Sequence, residues 1–146
     1  MDDLVQWLGA QLDEDERTAR AVHPVFLEWE YDHVVREVRD VANGGEVLHN
    51  VIPEVGAHVA AHDPARVLSE IDAKRQAVRL YTEAVEGRAA VRAKMSALMD
   101  DDCGEFERLH RQESELIEAE VRLRFVVLWL AQPYADRPGY REEWRP

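Results

Sequence analysis

The sequence predicts a mainly α protein of the α+β class: an N-terminal helix, a small antiparallel β-sheet or hairpin, then a long antiparallel helical hairpin with a docked C-terminal tail. Three observations carry that prediction. Apolar residues recur at three- and four-residue spacing over 2–22, over 63–99 and again from Phe106 to Gln132. Between the first two stretches the period drops to two in VFLEWEY. The two longest patterns are joined only by DDDCG, and so short a connection makes neighbouring helices antiparallel.

Each element has its own signals. Over 2–22, Leu4, Val5, Leu8, Leu12, Ala19 and Val22 fall on one stripe, Asp2 or Asp3 can cap the start, and His23-Pro24 ends it. Val25, Leu27, Trp29 and Tyr31 then alternate with Phe26, Glu28 and Glu30. Asn43-Gly44-Gly45 supplies a turn that needs positive φ, and EVLHNVI follows it, so residues 25–52 read as two or three strands. A helix over 25–42 is the rival reading, since VVREV also suits a helical face. Asp63 is an N-cap with Pro64 at the first helical position, where its missing N–H costs nothing. Val67, Ile71, Val78, Tyr81, Val85, Ala89, Met95 and Leu98 mark the face of the long helix, with Gly87 a point where it can kink. The next helix runs to Gln132 on Phe106, Leu109, Leu116, Ala119, Leu123, Val126 and Leu130, and Pro133 stops it. The expected core of this hairpin is Ile71, Val78, Leu116, Leu123 and Val126. The tail PYADRPGYREEWRP carries three prolines but also Tyr134, Tyr140 and Trp144, rings that predict a tail lying back on the helices.

At 146 residues, 46% hydrophobic and with four Trp, the chain fits a single domain, 1–146, with a core of its own. Its longest apolar run, FVVLWLA at 125–131, is far below the ~20 residues that span a bilayer, and the MDDLVQWL start is acidic where a signal peptide is basic. One cysteine, Cys103, excludes an internal disulfide and fits a reducing cytoplasm. The net charge of −12 is concentrated outside 64–99, which has seven Lys/Arg against four Asp/Glu. Direct binding to a phosphate backbone and membrane association are therefore not expected; Lys74, Arg75, Arg79, Arg88 and Arg92 are better matched to carboxylates of a neighbouring helix.

Few residues suggest chemistry. His58 and His62 stand four apart, the spacing that sets two imidazoles on one helical face for a metal, but Val59 replaces the Glu of a zinc protease helix and no further Cys/His pair closes a structural site. Asp63 is better used as a cap than as a third ligand. Glu107-Arg-Leu-His110 has the Glu-x-x-His spacing of di-iron bundles in a single copy, where two are needed. Asp13 to Glu16 is an acidic run whose members point in different directions on a helix. The serines lack a nucleophile elbow, and Cys103 is set among aspartates that discourage a thiolate. No catalytic residue and no cofactor is expected.

Three stretches, MDDLVQWLGAQLDEDE, HVAAHDPARVLSEIDAKR and LAQPYADRPGYREEWRP, together resemble an uncharacterised domain-of-unknown-function family of small actinobacterial and actinophage proteins. The tail departs from the family pattern at Arg137, where the pattern has His, and at Gly139, where it has Asp. The resemblance implies no activity, but it directs attention to the matching positions, among them Arg66, Tyr134, Tyr140, Arg141 and Trp144, as interaction residues. The reading that results is a small cytoplasmic accessory protein that binds a protein partner or itself. The alternatives are a metal-binding protein or metal-dependent enzyme centred on His58 and His62, and an acidic phosphate-mimicking inhibitor of a nucleic-acid-binding protein.

Overall fold

The computed structural model describes residues 1–22, 24–98 and 103–146. In chain order it forms helix α1 (Asp2–Arg20), strands β1 (Trp29–Asp32), β2 (Glu37–Asp40) and β3 (Glu46–Leu48), then helices α2 (Pro53–Ala61), α3 (Pro64–Ala97) and α4 (Cys103–Ala131). Single 3-10 turns follow at Gln132–Tyr134 and Glu142–Trp144. The fold is mainly helical α+β, as the periodicities predict. The expected helix stop at His23 and the acidic turn at 100–102 lie outside the described residues. Cys103 belongs to the first turn of α4 and not to a loop as expected, and it is exposed. The chain divides into two compact units, residues 9–73 and residues 1–8 with 74–146.

In the unit 9–73 the three strands form an antiparallel sheet in the order β1-β2-β3. Trp29 faces Asp40 and Asp32 faces Glu37, with an irregularity between Val38 and Arg39 on the β3 side. The paired strand begins at Trp29, not at Val25 where the alternation starts, and one more backbone bond, from Val41 N–H to Glu28 O, precedes it. Two aspartates close the turns. The Asp32 carboxylate accepts the N–H groups of Val34 and Val35, which holds its carboxyl below the usual range. Asp40, almost fully buried, accepts Ala42 N–H and Asn43 N–H on one oxygen, while its other oxygen has no partner. Gly44 takes the positive φ of 68° that the Asn-Gly-Gly signal requires. Leu12, Ala19, Val38 and Ile71 form the buried apolar positions.

Helix α2 has only nine residues, and a glycine seats it. A Cβ at Gly56 would lie 2.2 Å from ring carbons of Tyr31, so only glycine lets α2 close onto β1. The Tyr31 hydroxyl donates to Val51 O just before α2 begins.

In the unit formed by 1–8 and 74–146, α3 and α4 run antiparallel. Arg88 pairs with Glu120, Arg92 with Glu113, and a Cβ on Gly87 would come within 3.3 Å of Leu116. Helix α3 continues through Gly87, whose missing side chain admits its neighbour. Leu4, Leu8, Tyr81, Ala84, Val91, Leu109, Val127, Leu128 and Ala131 are buried. Of the expected hairpin core, Ile71 is buried but belongs to the unit 9–73, whereas Val78, Leu116, Leu123 and Val126 are only half-buried, and Phe106 is exposed. The inward line of α4 instead includes Glu113, whose charge is met by Arg92, a pairing that no apolar pattern can show. No helix among the described residues is long and apolar enough to cross a membrane.

Candidate functional site

The HDPAR segment builds a corner in the unit 9–73. Asp63 Oδ1 accepts the Arg66 N–H at 2.7 Å, three residues into the chain from the cap, and Oδ2 accepts the Trp29 N–H at 3.2 Å. One carboxylate therefore caps α3 and anchors the start of β1. Ala65 N–H donates to Leu27 O at 3.0 Å beside it. Arg66 turns back, donating to Ala61 O at 2.8 Å and to Glu70 at 2.9 Å, so the last carbonyl of α2 is satisfied by the first turn of α3.

His58 and His62 are brought together. Their ring centroids are 4.3 Å apart, and His62 Nδ1 lies 2.9 Å from the backbone oxygen of His58. A carbonyl only accepts, so the neutral His62 ring carries its proton on Nδ1 and keeps the lone pair on Nε2. Both histidines are exposed, and among the described residues no group of three His, Cys, Asp or Glu side chains is placed to hold a metal ion. Beside the corner, Ala19, Val22, Trp29, Pro64 and Val67, with Asp15, Thr18 and His62, line a mainly apolar depression of about 260 Å³.

The acidic run 13–16 serves α1 itself, with Glu14 paired to Arg17 and Glu16 to Arg20. Glu107 and His110 are both exposed on α4. In α3, Arg88 and Arg92 take carboxylates of α4, whereas Lys74 donates to the Tyr134 hydroxyl at 3.3 Å.

The tail residues gather in the other unit. Tyr134 and Trp144 are buried. Trp7 stacks edge-on to Tyr140 at 5.6 Å and tilted to Trp144 at 5.3 Å, and its indole N–H donates to Pro138 O at 3.0 Å. Gly139 has φ of 87°, and a Cβ there would approach the Trp7 nitrogen to 3.0 Å. Arg141 spans Trp144 and pairs with Asp3 at 2.9 Å. Arg137, one of the two departures from the tail pattern, packs over the Tyr134 ring at 4.7 Å.

One feature escaped the sequence reading. Ile117, Val121, Phe125 and Trp129 form a row of exposed apolar side chains on α4, each four residues from the next, with Phe125 and Trp129 rings 6.3 Å apart. The signal for it was FVVLWLA: seven consecutive apolar residues cover nearly two turns, so they cannot all face one side of a helix.

Fold and sites together define a mainly helical α+β protein with a three-stranded antiparallel sheet, an aromatic-anchored tail and an outward apolar row on its last long helix. The chain belongs to a family of unknown function, DUF6221, whose model matches residues 1–146. No curated protein and no solved structure matches it.

Proposed function

We propose that this chain is a small accessory protein of actinobacteria and their phages that works by binding another polypeptide. The observation that carries the reading is the exposed row Ile117, Val121, Phe125 and Trp129. Aromatic side chains left in water on a rigid helix are the usual anchors of recognition surfaces. Arg66, Tyr134, Tyr140, Arg141 and Trp144, the positions matched to the family pattern, have partners within the chain, so the reading rests on the α4 row and not on them. The test is capture of partners by tagged wild-type protein and by Trp129→Glu. Loss of a specific, saturable partner in the variant, with unchanged circular dichroism, supports the reading; identical capture by both removes it. Binding that disappears only at high salt would instead favour the acidic, phosphate-mimicking inhibitor.

A second reading has its own observation. The paired rings of His58 and His62, with Nε2 of His62 left as acceptor, suit a transition metal of the zinc or copper type held by two imidazoles. Calorimetric titration of wild type and the His58→Ala/His62→Ala double variant with zinc tests it. Stoichiometric binding confined to the wild type favours a metal-binding protein, and no binding discards it.

A further inference from the structure

We propose that the partner seated on the α4 row is a second copy of the same chain, packed antiparallel about a two-fold axis near Val121; the proposal rests on the binding reading above. The row is built for self-packing. Side chains at four-residue intervals form a ridge, and ridges of this type on two helices interdigitate. An axis at Val121 sets Ile117 of each copy at the level of Phe125 of the other, so a smaller side chain meets a ring across the contact.

Charge decides the direction. From Glu105 to Glu120, α4 holds six glutamates, of which Glu113 and Glu120 are taken by Arg92 and Arg88 of α3, leaving Glu105, Glu107, Glu115 and Glu118 against Arg108 and Arg111; from Val121 to Ala131 it holds Arg122 and Arg124 and no acid. Parallel copies would set acid against acid. Antiparallel copies set the basic half of each helix on the acidic half of the other, and the chain so supplies its own complement despite a net charge of −12. Glu118 and Arg122 show this most directly. They are an exposed pair, 2.8 Å apart, on one flank of the row. Helical geometry with an axis at Val121 brings Glu118 of each copy within reach of Arg122 of the other, so the pair can exchange across the contact.

Area decides the strength. Ile117, Val121, Phe125 and Trp129 are 36%, 52%, 47% and 59% exposed. With an aromatic side chain at roughly 200 Å², these amount to on the order of 400 Å². That is about half of the ~800 Å² each partner contributes to a standard interface, with the charged flanks supplying the rest. The dimer is therefore weak and concentration-dependent, not obligate.

Sedimentation from micromolar to millimolar protein is the test, with circular dichroism and near-ultraviolet tryptophan signals as folding controls. Wild type should pass from one chain to two, and Val121→Glu, an exposed position, should stay single while folded. Glu118→Arg and Arg122→Glu should each weaken association at least tenfold, and an equimolar mixture of the two should restore it as a mixed dimer. Wild type that remains a single chain throughout overturns the proposal; the binding reading survives that result if Trp129→Glu still loses a different captured partner. Unimpaired dimerisation of Val121→Glu also overturns it, by placing the contact elsewhere. Failure of the mixture to recover overturns the antiparallel arrangement.

Discussion

The carboxylate of Asp63 accepts the backbone N–H of Trp29 at 3.2 Å while capping α3 through Arg66 N–H. A lost cap alone costs about 1 kcal/mol, and a second backbone donor left without its acceptor adds a similar amount. Asp63→Ala is expected to destabilise by about 2 kcal/mol in urea. Asp63→Asn keeps one acceptor oxygen and should lose roughly half of that. An alanine variant that loses only the cap's share, about 1 kcal/mol, would show that the Trp29 bond contributes nothing.

Leu109 is 1% exposed on α4, whereas Leu123 is half-buried. Leu109→Ala should therefore cost about 2–5 kcal/mol, as full core truncations do, and Leu123→Ala distinctly less. Denaturant midpoints that rank the two in the opposite order would contradict the inward line of α4.

Hydrogen bonding to Arg92 holds the Glu113 carboxyl below the ordinary glutamate range. A depressed folded value means the stabilisation is complete above the unfolded pKa, ~4.3, and is lost as pH falls through the folded one. The stability difference between wild type and Glu113→Gln should thus be constant from neutral pH to about 5 and shrink below about 4. Asp32 and Glu105, also depressed, titrate in both proteins and cancel in that comparison. A difference that stays flat down to strongly acidic pH would show that the ion pair is not formed in solution.

Trp144 is 5% exposed and packed against Trp7 and Tyr140, while Trp129 is 59% exposed. Trp144→Ala should cost about 3–5 kcal/mol. Arg141→Ala breaks an exposed pair with Asp3 and should cost about 1 kcal/mol or less. In single-tryptophan variants made with phenylalanine elsewhere, Trp144 should emit to the blue of Trp129. Matching emission from both, with a truncation at 133 melting like the full chain, would show an undocked tail.

The helical parts were legible because their signals are local. Asp63-Pro64 and the stripe from Val67 announced α3, and the Asn-Gly-Gly turn announced a hairpin whose Gly44 adopts the required φ. What escaped depends on partners distant in the chain. The segment PEVGAHVAA carries an interior glycine and no cap, so its helicity depends on closing over Tyr31. Glu113 reads as solvent-facing until Arg92 is placed beside it. Phe106 fits the apolar stripe by spacing yet lies in the first turn of α4, where it is left exposed. For His58 and His62 the spacing foretold adjacency; the bond from the His62 ring to its own helix needed coordinates.

The Tyr31 ring in the space where a Gly56 Cβ would sit bears on how this region breathes. A nine-residue helix is below the ~12–15 residues that hold helical structure alone in water, so α2 keeps no protection once it leaves the strand. Its amides and those of β1 should then share one opening event and exchange with deuterium at a common free energy. The histidines ride on that event: whenever β1 lets go, the two imidazoles lose their common face.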